Sequence, residues 1–317
     1  MIASNCIQNV KVLTMTLPKA IEFVEVGPRD GLQNEKTLIS TADKLALIGR
    51  AIGAGARRIE VASFVNPKRV PQMADAEAVC AGLPDRPDVT YIGLVMNGRG
   101  AERAIATGRI GQLGAVTVAT DQFAIANQGQ TSDESVVAAK GIVAQAKAAG
   151  LSAQVTISAA FGCPFEGEVT EDRVVAMAEL LAEANPVEIA IADTIGVANP
   201  AHVARLVERV RQAINPLPVR VHFHNTRNTG LANVWAAVLA GASVVDASIG
   251  GIGGCPFAPA ATGNVPSEDV AYMLERAGVA TGMDLEMLIA ASHWLAGVMN
   301  KQLPGMVSRA GPFPKAA

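Results

Sequence analysis

The chain has 317 residues, of which half are apolar and only 17% are charged, so it can build one large domain with an aliphatic core. Its formal net charge of −3 argues against a surface that binds nucleic acid. Four cysteines without a C-x-x-C pair argue against a disulfide framework and favour a reducing, cytoplasmic setting. No apolar run reaches the roughly 20 residues of a membrane-spanning helix, so we expect no membrane association.

Short apolar, β-branched runs alternate with Ala- and Leu-rich helical stretches along most of the chain. The predicted strands are residues 21–26, 57–62, 90–96, 112–119, 152–158, 187–192, 219–224 and 243–249. The predicted helices are residues 41–53, 73–82, 98–107, 133–149, 171–184, 200–214, 229–240 and 266–277, followed by an extra amphipathic helix at 284–299.

Eight strand–helix units predict a single TIM (β/α)8 barrel with an additional C-terminal helix. A doubly wound open sheet is the alternative, but no G-x-G-x-x-G follows the first strand. We expect the catalytic domain to span residues 21–300. Residues 1–20 are expected to be an N-terminal tail without a secretory signal, and residues 301–317 a C-terminal tail.

Polar and glycine-rich segments follow the predicted strands rather than precede them. Because TIM barrels carry their active sites at the carboxyl ends of the strands, this arrangement predicts one functional rim. The segments are residues 27–35, 63–68, 127, 162–167, 193–194, 222–226 and 250–256.

His222 and His224 end the seventh predicted strand and are two of only four histidines in the chain. Residues two apart in a strand point to the same face, so both imidazoles are predicted to project together from the rim as ligands of one metal. The alternative is a pair of histidines that only pack or form hydrogen bonds.

Asp30 follows the first strand and is the predicted third ligand, although Pro28–Gly31 also suits an ordinary turn. Two imidazoles and a carboxylate leave positions on a divalent cation open for substrate oxygens and suit Mn²⁺, Mg²⁺, Co²⁺ or Zn²⁺. The ligand set does not choose among these ions, and we expect Mg²⁺ or Mn²⁺. Asn264 could add an amide oxygen, with a turn or helix cap as its alternative role.

Arg29 and Cys255 are further catalytic candidates. A fixed guanidinium beside Asp30 would stabilise an enolate or carboxylate oxygen, unless Arg29 is a surface residue that pairs with Glu25 or Glu35. Cys255 lies in a glycine-rich loop, where a thiol could transfer a proton or simply be buried as a small side chain. Cys163 is expected to pack.

Several segments resemble 3-hydroxy-3-methylglutaryl-CoA lyase in order along the chain. They are VEVGPRDGLQNE (24–35), SFVNPKRVPQM (63–73), GCPFEG (162–167), DTIGV (193–197), HFHNT (222–226) and VVDASIGGIGGCPFAPAATGN (244–264). The resemblance implies a metal-dependent TIM-barrel enzyme that cleaves this thioester to acetyl-CoA and acetoacetate in a retro-Claisen reaction.

The resemblance also implies roles for individual residues. Asp30, His222, His224 and Asn264 match the metal ligands, and Arg29 matches the arginine that steadies the enolate. His222 or a metal-linked water would act as the base, Glu60 is an acidic residue near the cation, and Cys255 transfers a proton. Further residues predicted to lie in or near the substrate pocket are Gln33, Lys36, Ser63, Asn127, Asp193 and Thr194.

One departure from the family concerns the segment after the second histidine. Well-known members read H-D-T-Y-G-Q, whereas this chain has Asn225, Arg227 and Asn228 there. Arg227 either contributes to substrate binding and changes the acyl group or faces solvent or a neighbouring loop. The substrate could therefore be citramalyl-CoA or a longer 3-alkyl analogue.

Two other classes remain as alternatives. A condensing acyltransferase of the isopropylmalate or homocitrate synthase type shares the R-D and H-x-H elements, but such chains are usually longer. The other alternative is a barrel that binds a metal or a partner without catalysing a reaction. We expect a small-molecule acyl-CoA as the partner, with a homodimer possible through residues 284–299.

Overall fold

The computed structural model describes residues 17–254 and 263–314, and eight parallel strands close into a barrel within them. Each strand pairs with the next along the chain, and the last pairs with the first, for example Phe23 with Val245. The predicted TIM barrel is thus confirmed. The strands are β1 (Glu22–Glu25), β2 (Arg58–Ser63), β3 (Thr90–Val95), β4 (Gln112–Val118), β5 (Ser152–Ser158), β6 (Ile189–Asp193), β7 (Val219–Phe223) and β8 (Val244–Ala247).

All the predicted helical stretches form helices, including the C-terminal one. The helices are α1 (Thr41–Gly53), α2 (Ala76–Ala81), α3 (Gly98–Ala106), α4 (Asp121–Gln128), α5 (Ser132–Ala148), α6 (Glu171–Ala182), α7 (Pro200–Ala213), α8 (Gly230–Leu239), α9 (Ser267–Arg276), α10 (Leu285–Met299) and α11 (Val307–Ala310).

Three helices differ from the sequence prediction, and one of them is α11, which lies in the predicted C-terminal tail. Helix α2 starts three residues late, because a separate 3₁₀ turn at Pro71–Met73 precedes it. Helix α4 was not predicted: it is short, and Phe123 and Ala124 are its only buried residues, so it shows little helical periodicity.

The main hydrophobic core lies between the sheet and the surrounding helices, where alternate strand residues such as Val221 and Phe223 point outward. The barrel interior holds a much smaller apolar cluster of Val24, Val26, Ile92 and Val244. Charged side chains fill much of the remaining interior, and these are Arg58, Glu60, Glu188, Arg220 and Asp246.

The segment after α10 packs against the barrel. Asp269 of α9 accepts hydrogen bonds from the N–H groups of Met306 and Val307 at 3.0 and 2.7 Å. The N–H of Gly305 bonds to the carbonyl of Gly250 at 3.2 Å. Residues 303–310, expected to belong to a tail, therefore support the loop that follows β8. In the part of the chain that the structure describes, no helix has both the length and the apolar character needed to cross a membrane.

Candidate active site

The carboxyl ends of all eight strands open into one cavity of about 980 Å³. Its floor is polar on the side of β1, β2, β7 and β8 and has small or apolar residues on the side of β3 to β6. A cavity of this size can bury a drug-sized ligand. The strand and loop residues that form its floor include Asp30, Glu60, Leu94, Val116, Thr156, Ala192, His222, His224 and Asp246.

Asp30, His222 and His224 meet on this floor. One potential ligand atom from each lies within 4.8 Å of the others, and the two imidazole centres are 5.2 Å apart. His222 Nε2 is 3.7 Å from Asp30 Oδ2. The predicted association of the histidine pair with Asp30 is present in the structure.

The turn that carries Asp30 is a single π-helical turn, Gly27–Gly31, in which the N–H of Gly31 bonds to the carbonyl of Val26 at 3.1 Å. Buried Glu25 accepts hydrogen bonds from the N–H groups of Gly27 and Ile249 at 2.8 and 3.0 Å. The turn after β1 and the loop after β8 are thus tied to one carboxyl group.

Asn264 reaches the same site because residues 263–265 pair with the end of β7. The N–H of Asn225 bonds to the carbonyl of Gly263 at 3.0 Å, and the N–H of Val265 to that of Phe223 at 3.2 Å. The Asn264 Nδ2 donates to Asp30 Oδ2 at 2.8 Å. Its Oδ1 is buried without a hydrogen-bond partner among the described residues, as is Nδ1 of His224.

This donor set fits a divalent cation. A buried amide oxygen and a buried imidazole nitrogen without partners would each be costly unless a ligand completes them. Together with Asp30 they form the mixed nitrogen and oxygen environment that Mg²⁺, Mn²⁺, Co²⁺ or Zn²⁺ accepts.

The charges of the site shift the pKa values of its members. Burial would raise the pKa of Asp30, but the charges of Arg29 and the histidines hold it well below its usual range. Burial and the neighbouring His222 lower the pKa of His224 to about 4. Burial acts to lower the pKa of His222, but the hydrogen bond to Asp246 and the nearby carboxylate charges together outweigh burial, so the pKa lies above its usual value. At neutral pH, Asp30 is ionised and His224 is neutral, as metal ligands must be.

Arg29 is a buried residue of the site and pairs with neither Glu25 nor Glu35. Its Nη1 lies 2.5 Å from Asp30 Oδ1, and its Nε donates to Glu60 Oε2 at 2.8 Å, with Nη2 bonded to the same oxygen. Both carboxylates orient the guanidinium, which lines the cavity beside the candidate metal ligands.

The other sequence-predicted pocket residues divide into two groups. Gln33, Asn127 and Thr194 line the cavity. Four residues do not belong to its described lining: Lys36 is exposed, Ser63 is buried, Asp193 accepts from the N–H groups of Val197 and Ala198, and Arg227 donates to the carbonyls of Ile195 and Gly196.

Cys255 lies outside the described residues, but the chain that leads to it is anchored at the site. The Asn34 Nδ2 donates to the carbonyl of Gly254 at 2.7 Å. Cys163 is buried and its Sγ accepts a hydrogen bond from the Thr120 hydroxyl at 3.0 Å, which agrees with the expected packing role.

Sequence reasoning missed several charged residues at the cavity or beneath it. Arg69 and Arg99 are exposed and line its outer wall. Arg220 and Asp246 lie in the barrel interior below the histidines. A signal for the second pair existed: Arg220 precedes His222 by two positions on the same strand face, and Asp246 interrupts an apolar strand.

Comparison with known proteins gives consistent matches over nearly the whole chain. A family model described as HMGL-like matches residues 20–295. The chain is 43% identical to (R)-citramalyl-CoA lyase of Chloroflexus aurantiacus, over 93% of this chain and 96% of that protein. It is 39% identical to a hydroxymethylglutaryl-CoA lyase of Bacillus subtilis, over 92% of this chain and 97% of that protein.

Solved structures of similar proteins have the same fold. An HMG-CoA lyase from Acinetobacter baumannii, in complex with coenzyme A and 3-methylmalate, is 38% identical with a TM-score of 0.89, covering 94% of this chain and 97% of that one. The Bacillus subtilis HMG-CoA lyase superposes with a TM-score of 0.89 at 39% identity, covering 93% of this chain and 98% of that one.

Proposed function

The chain belongs to the HMGL-like family and is a carbon–carbon lyase, and we propose that it cleaves 3-hydroxy-3-methylglutaryl-CoA to acetyl-CoA and acetoacetate with a divalent cation. The observation that carries this proposal is the cluster of Asp30, His222 and His224 beside buried Arg29 on the cavity floor. The cluster would provide a cation site directly beside the fixed positive charge of Arg29.

Asp30, His222 and His224 would hold the cation, and Asn264 Oδ1 would be a fourth ligand. Mg²⁺ or Mn²⁺ is the proposed ion. When bound, it supplies the Lewis acidity that lowers the pKa of the substrate's tertiary hydroxyl.

Arg29 would bind the thioester oxygen of the substrate. Once a water molecule at the site has taken the hydroxyl proton, the carbinol carbon would become the ketone of acetoacetate. Its bond to the methylene next to the thioester would break, and the electron pair of that bond would form the enolate of acetyl-CoA. The Arg29 guanidinium, held by Glu60 and Asp30, needs no reorientation to stabilise the enolate oxygen. The thiol of Cys255 would donate a proton to the methylene carbon, completing acetyl-CoA, and its thiolate would regain a proton from the base that took one from the hydroxyl.

The coenzyme A portion would extend toward the outer wall of the cavity. Arg69, Arg99 and Arg103 line that wall, and Arg103 is paired with Glu77. Guanidinium groups are suited to the phosphates of a coenzyme A thioester.

A second candidate substrate is (R)-citramalyl-CoA, which would yield acetyl-CoA and pyruvate. The relative that acts on this compound is 43% identical to the chain. The two thioesters share a tertiary hydroxyl, a methyl group and a terminal carboxylate, and they differ by one methylene. Arg227 would influence this choice through the loop after β6, since its guanidinium holds the carbonyls of Ile195 and Gly196 next to cavity-lining Thr194.

The test is to supply both thioesters with Mg²⁺ and to quantify acetyl-CoA together with acetoacetate or pyruvate. We expect acetyl-CoA and acetoacetate in equal amounts from the methylglutaryl compound, at a higher kcat/KM than for citramalyl-CoA. Preferential production of pyruvate would assign the second candidate. No release of acetyl-CoA from either compound would contradict the proposed reaction.

A further inference from the structure

Arg220 is 1% exposed and lies in the barrel interior, where it contacts three carboxylates. Its Nε and Nη2 bond to the two oxygens of Asp246 at 2.5 and 2.9 Å. Its Nη2 also donates to Glu60 Oε1 at 2.9 Å, and its Nη1 lies 3.3 Å from Glu188 Oε1. One guanidinium thus fixes side chains from β2 and β8.

The two carboxylates nearest the site each have a second contact, and both contacts lead to active-site residues. Asp246 Oδ2 lies 3.1 Å from His222 Nδ1, and Glu60 Oε2 accepts from Arg29 Nε at 2.8 Å. Arg220 is therefore linked to a candidate metal ligand through Asp246 and to the candidate enolate-binding residue through Glu60.

The contact with Asp246 determines how His222 can act as a ligand. An ionised carboxylate can only accept, so the hydrogen must lie on Nδ1 of the imidazole. In the neutral imidazole, which is the form that binds a metal, the other nitrogen, Nε2, then has a free lone pair on the side of Asp30, from which it is 3.7 Å away. This is the tautomer that a metal ligand needs at that position.

Stability alone does not account for this interior. Desolvation of buried ions often cancels their attraction, and apolar side chains of similar volume frequently serve stability as well or better. A barrel interior is commonly filled by branched apolar residues. The buried arginine is better explained by the groups that it orients.

We propose that Asp246 and Arg220 are positioning residues for the cation site, with Asp246 fixing the tautomer and orientation of His222 and Arg220 holding Asp246 in place. The proposal rests on the metal site of the proposed function and adds two residues that do not touch the cation or the substrate. Orienting partners of metal-bound histidines typically contribute about 10–100-fold in metal affinity.

The test measures Mn²⁺ binding by titration calorimetry in the full chain without substrate. Asp246→Ala is expected to weaken Mn²⁺ binding about 10–100-fold. Arg220→Met is expected to weaken Mn²⁺ binding as well, although Asp246 is intact. The double variant is expected to lose no more Mn²⁺ affinity than the weaker-binding single variant, because both residues act through the same contact with His222. Asp246→Asn keeps the size of the side chain and replaces Asp246→Ala in the same titration if the alanine variant does not fold.

Arg58→Met is the matched control. Arg58 is a buried arginine of the same interior that bonds to Glu188 at 2.9 and 2.6 Å. Among the described residues its other polar side-chain partners are Gln112 and Glu22, not Asp246 or His222. Its variant is expected to bind Mn²⁺ like the unmodified protein, which separates a loss of positioning from a general loss of buried charge.

A second readout follows the His222 tautomer by ¹⁵N NMR of the metal-free protein. We expect the Nδ1–H form in the unmodified chain and a shift of the proton toward Nε2 in Asp246→Ala. Folded Asp246 variants with unchanged Mn²⁺ affinity and an unchanged tautomer would overturn the positioning role. Failure of the proposed function is distinguishable, because it would appear as Mn²⁺ binding without cleavage of either thioester.

Discussion

At the scale of single residues, the site combines charges that would be unfavourable in isolation. Asp30 is partly buried, and its two oxygens face Arg29, Asn264 and His222. These neighbours keep the carboxylate ionised, so its negative charge is available to a cation at neutral pH. We therefore propose that Asp30 is the ligand on which cation affinity depends most.

Asp30→Asn should abolish most cation binding while leaving the fold intact. The amide keeps the shape but removes the charge, so Mn²⁺ affinity is expected to fall by about 100-fold or more and acetyl-CoA release with it. The control is Asp88→Asn, since Asp88 is an exposed carboxylate that pairs with Arg57 and Arg86 far from the cavity lining. Undiminished Mn²⁺ binding by the Asp30 variant would remove this residue from the site.

Much of the residue-level site was predictable, and the missing part has a physical explanation. The proximity of Asp30, His222 and His224 could be predicted, because strand periodicity fixes the face to which side chains point and the carboxyl ends of the strands meet at one rim. The link between Arg220, Asp246 and Glu60 depends on the register of three strands that are far apart in sequence, which no local pattern specifies.

At the scale of elements, the functional geometry depends on close contact between two loops. Gly31 in the π-helical turn faces the loop after β8, and a Cβ there would lie 2.7 Å from Ile252 Cγ1 and from Ser248 Oγ. The strands could be predicted as apolar runs because both faces of the sheet are buried. The π-helical turn could not be predicted, because its residues are also those of an ordinary turn.

Gly31→Ala should move the turn and disturb both Asp30 and the start of the glycine-rich loop. We expect a loss of kcat/KM of about 10–100-fold, since small displacements of reacting groups are costly. Gly49→Ala in α1 is the control, because a Cβ there meets no atom within 4 Å and helix propensity favours alanine. Equal activities for the two variants would refute the need for this close approach.

Helix α9 contributes a second, pH-dependent anchor for the same loop. Glu268 is fully buried, accepts from the N–H of Gly250 at 3.0 Å, and has a pKa raised by burial to about 7. The folded state therefore keeps a proton that the unfolded state releases near pH 4.5, so this group's stabilising contribution falls as pH rises through that interval.

Glu268→Gln should remove this dependence. Relative to the unmodified protein, the variant's Tm is expected to rise as the pH goes from about 5 to about 8, by on the order of 5 °C over the interval. Thermal unfolding at several pH values measures the difference. The exposed Glu179→Gln in α6 is the control, and parallel Tm curves for Glu268→Gln and the unmodified chain would contradict the assignment.

At the scale of the whole molecule, the packed interior of the barrel and the candidate active site lie at different positions along the barrel axis. Ion pairs and a small apolar cluster fill the interior, and the cavity opens at the carboxyl ends of the strands. The arginines on its outer wall give the entrance a positive character, although the chain as a whole carries a net charge of −3.

Replacing Arg69 and Arg99 together by alanine should weaken binding of the thioester without disabling its cleavage. Loss of two phosphate contacts is expected to raise KM on the order of tenfold and to change kcat little. The control is the double variant Arg205→Ala and Arg209→Ala, since both arginines form ion pairs with Glu171 outside the described cavity lining. An unchanged KM in the first pair would place the phosphates elsewhere.

We propose that the cluster of Asp30, His222 and His224 makes the protein a cation-dependent carbon–carbon lyase. The most direct measurement is acetyl-CoA release from 3-hydroxy-3-methylglutaryl-CoA and (R)-citramalyl-CoA by protein stripped with a chelator, dialysed, and then titrated with Mg²⁺ or Mn²⁺. We predict negligible release by the stripped protein and saturable recovery with either cation. Full turnover by protein shown to be metal-free would contradict this cation dependence.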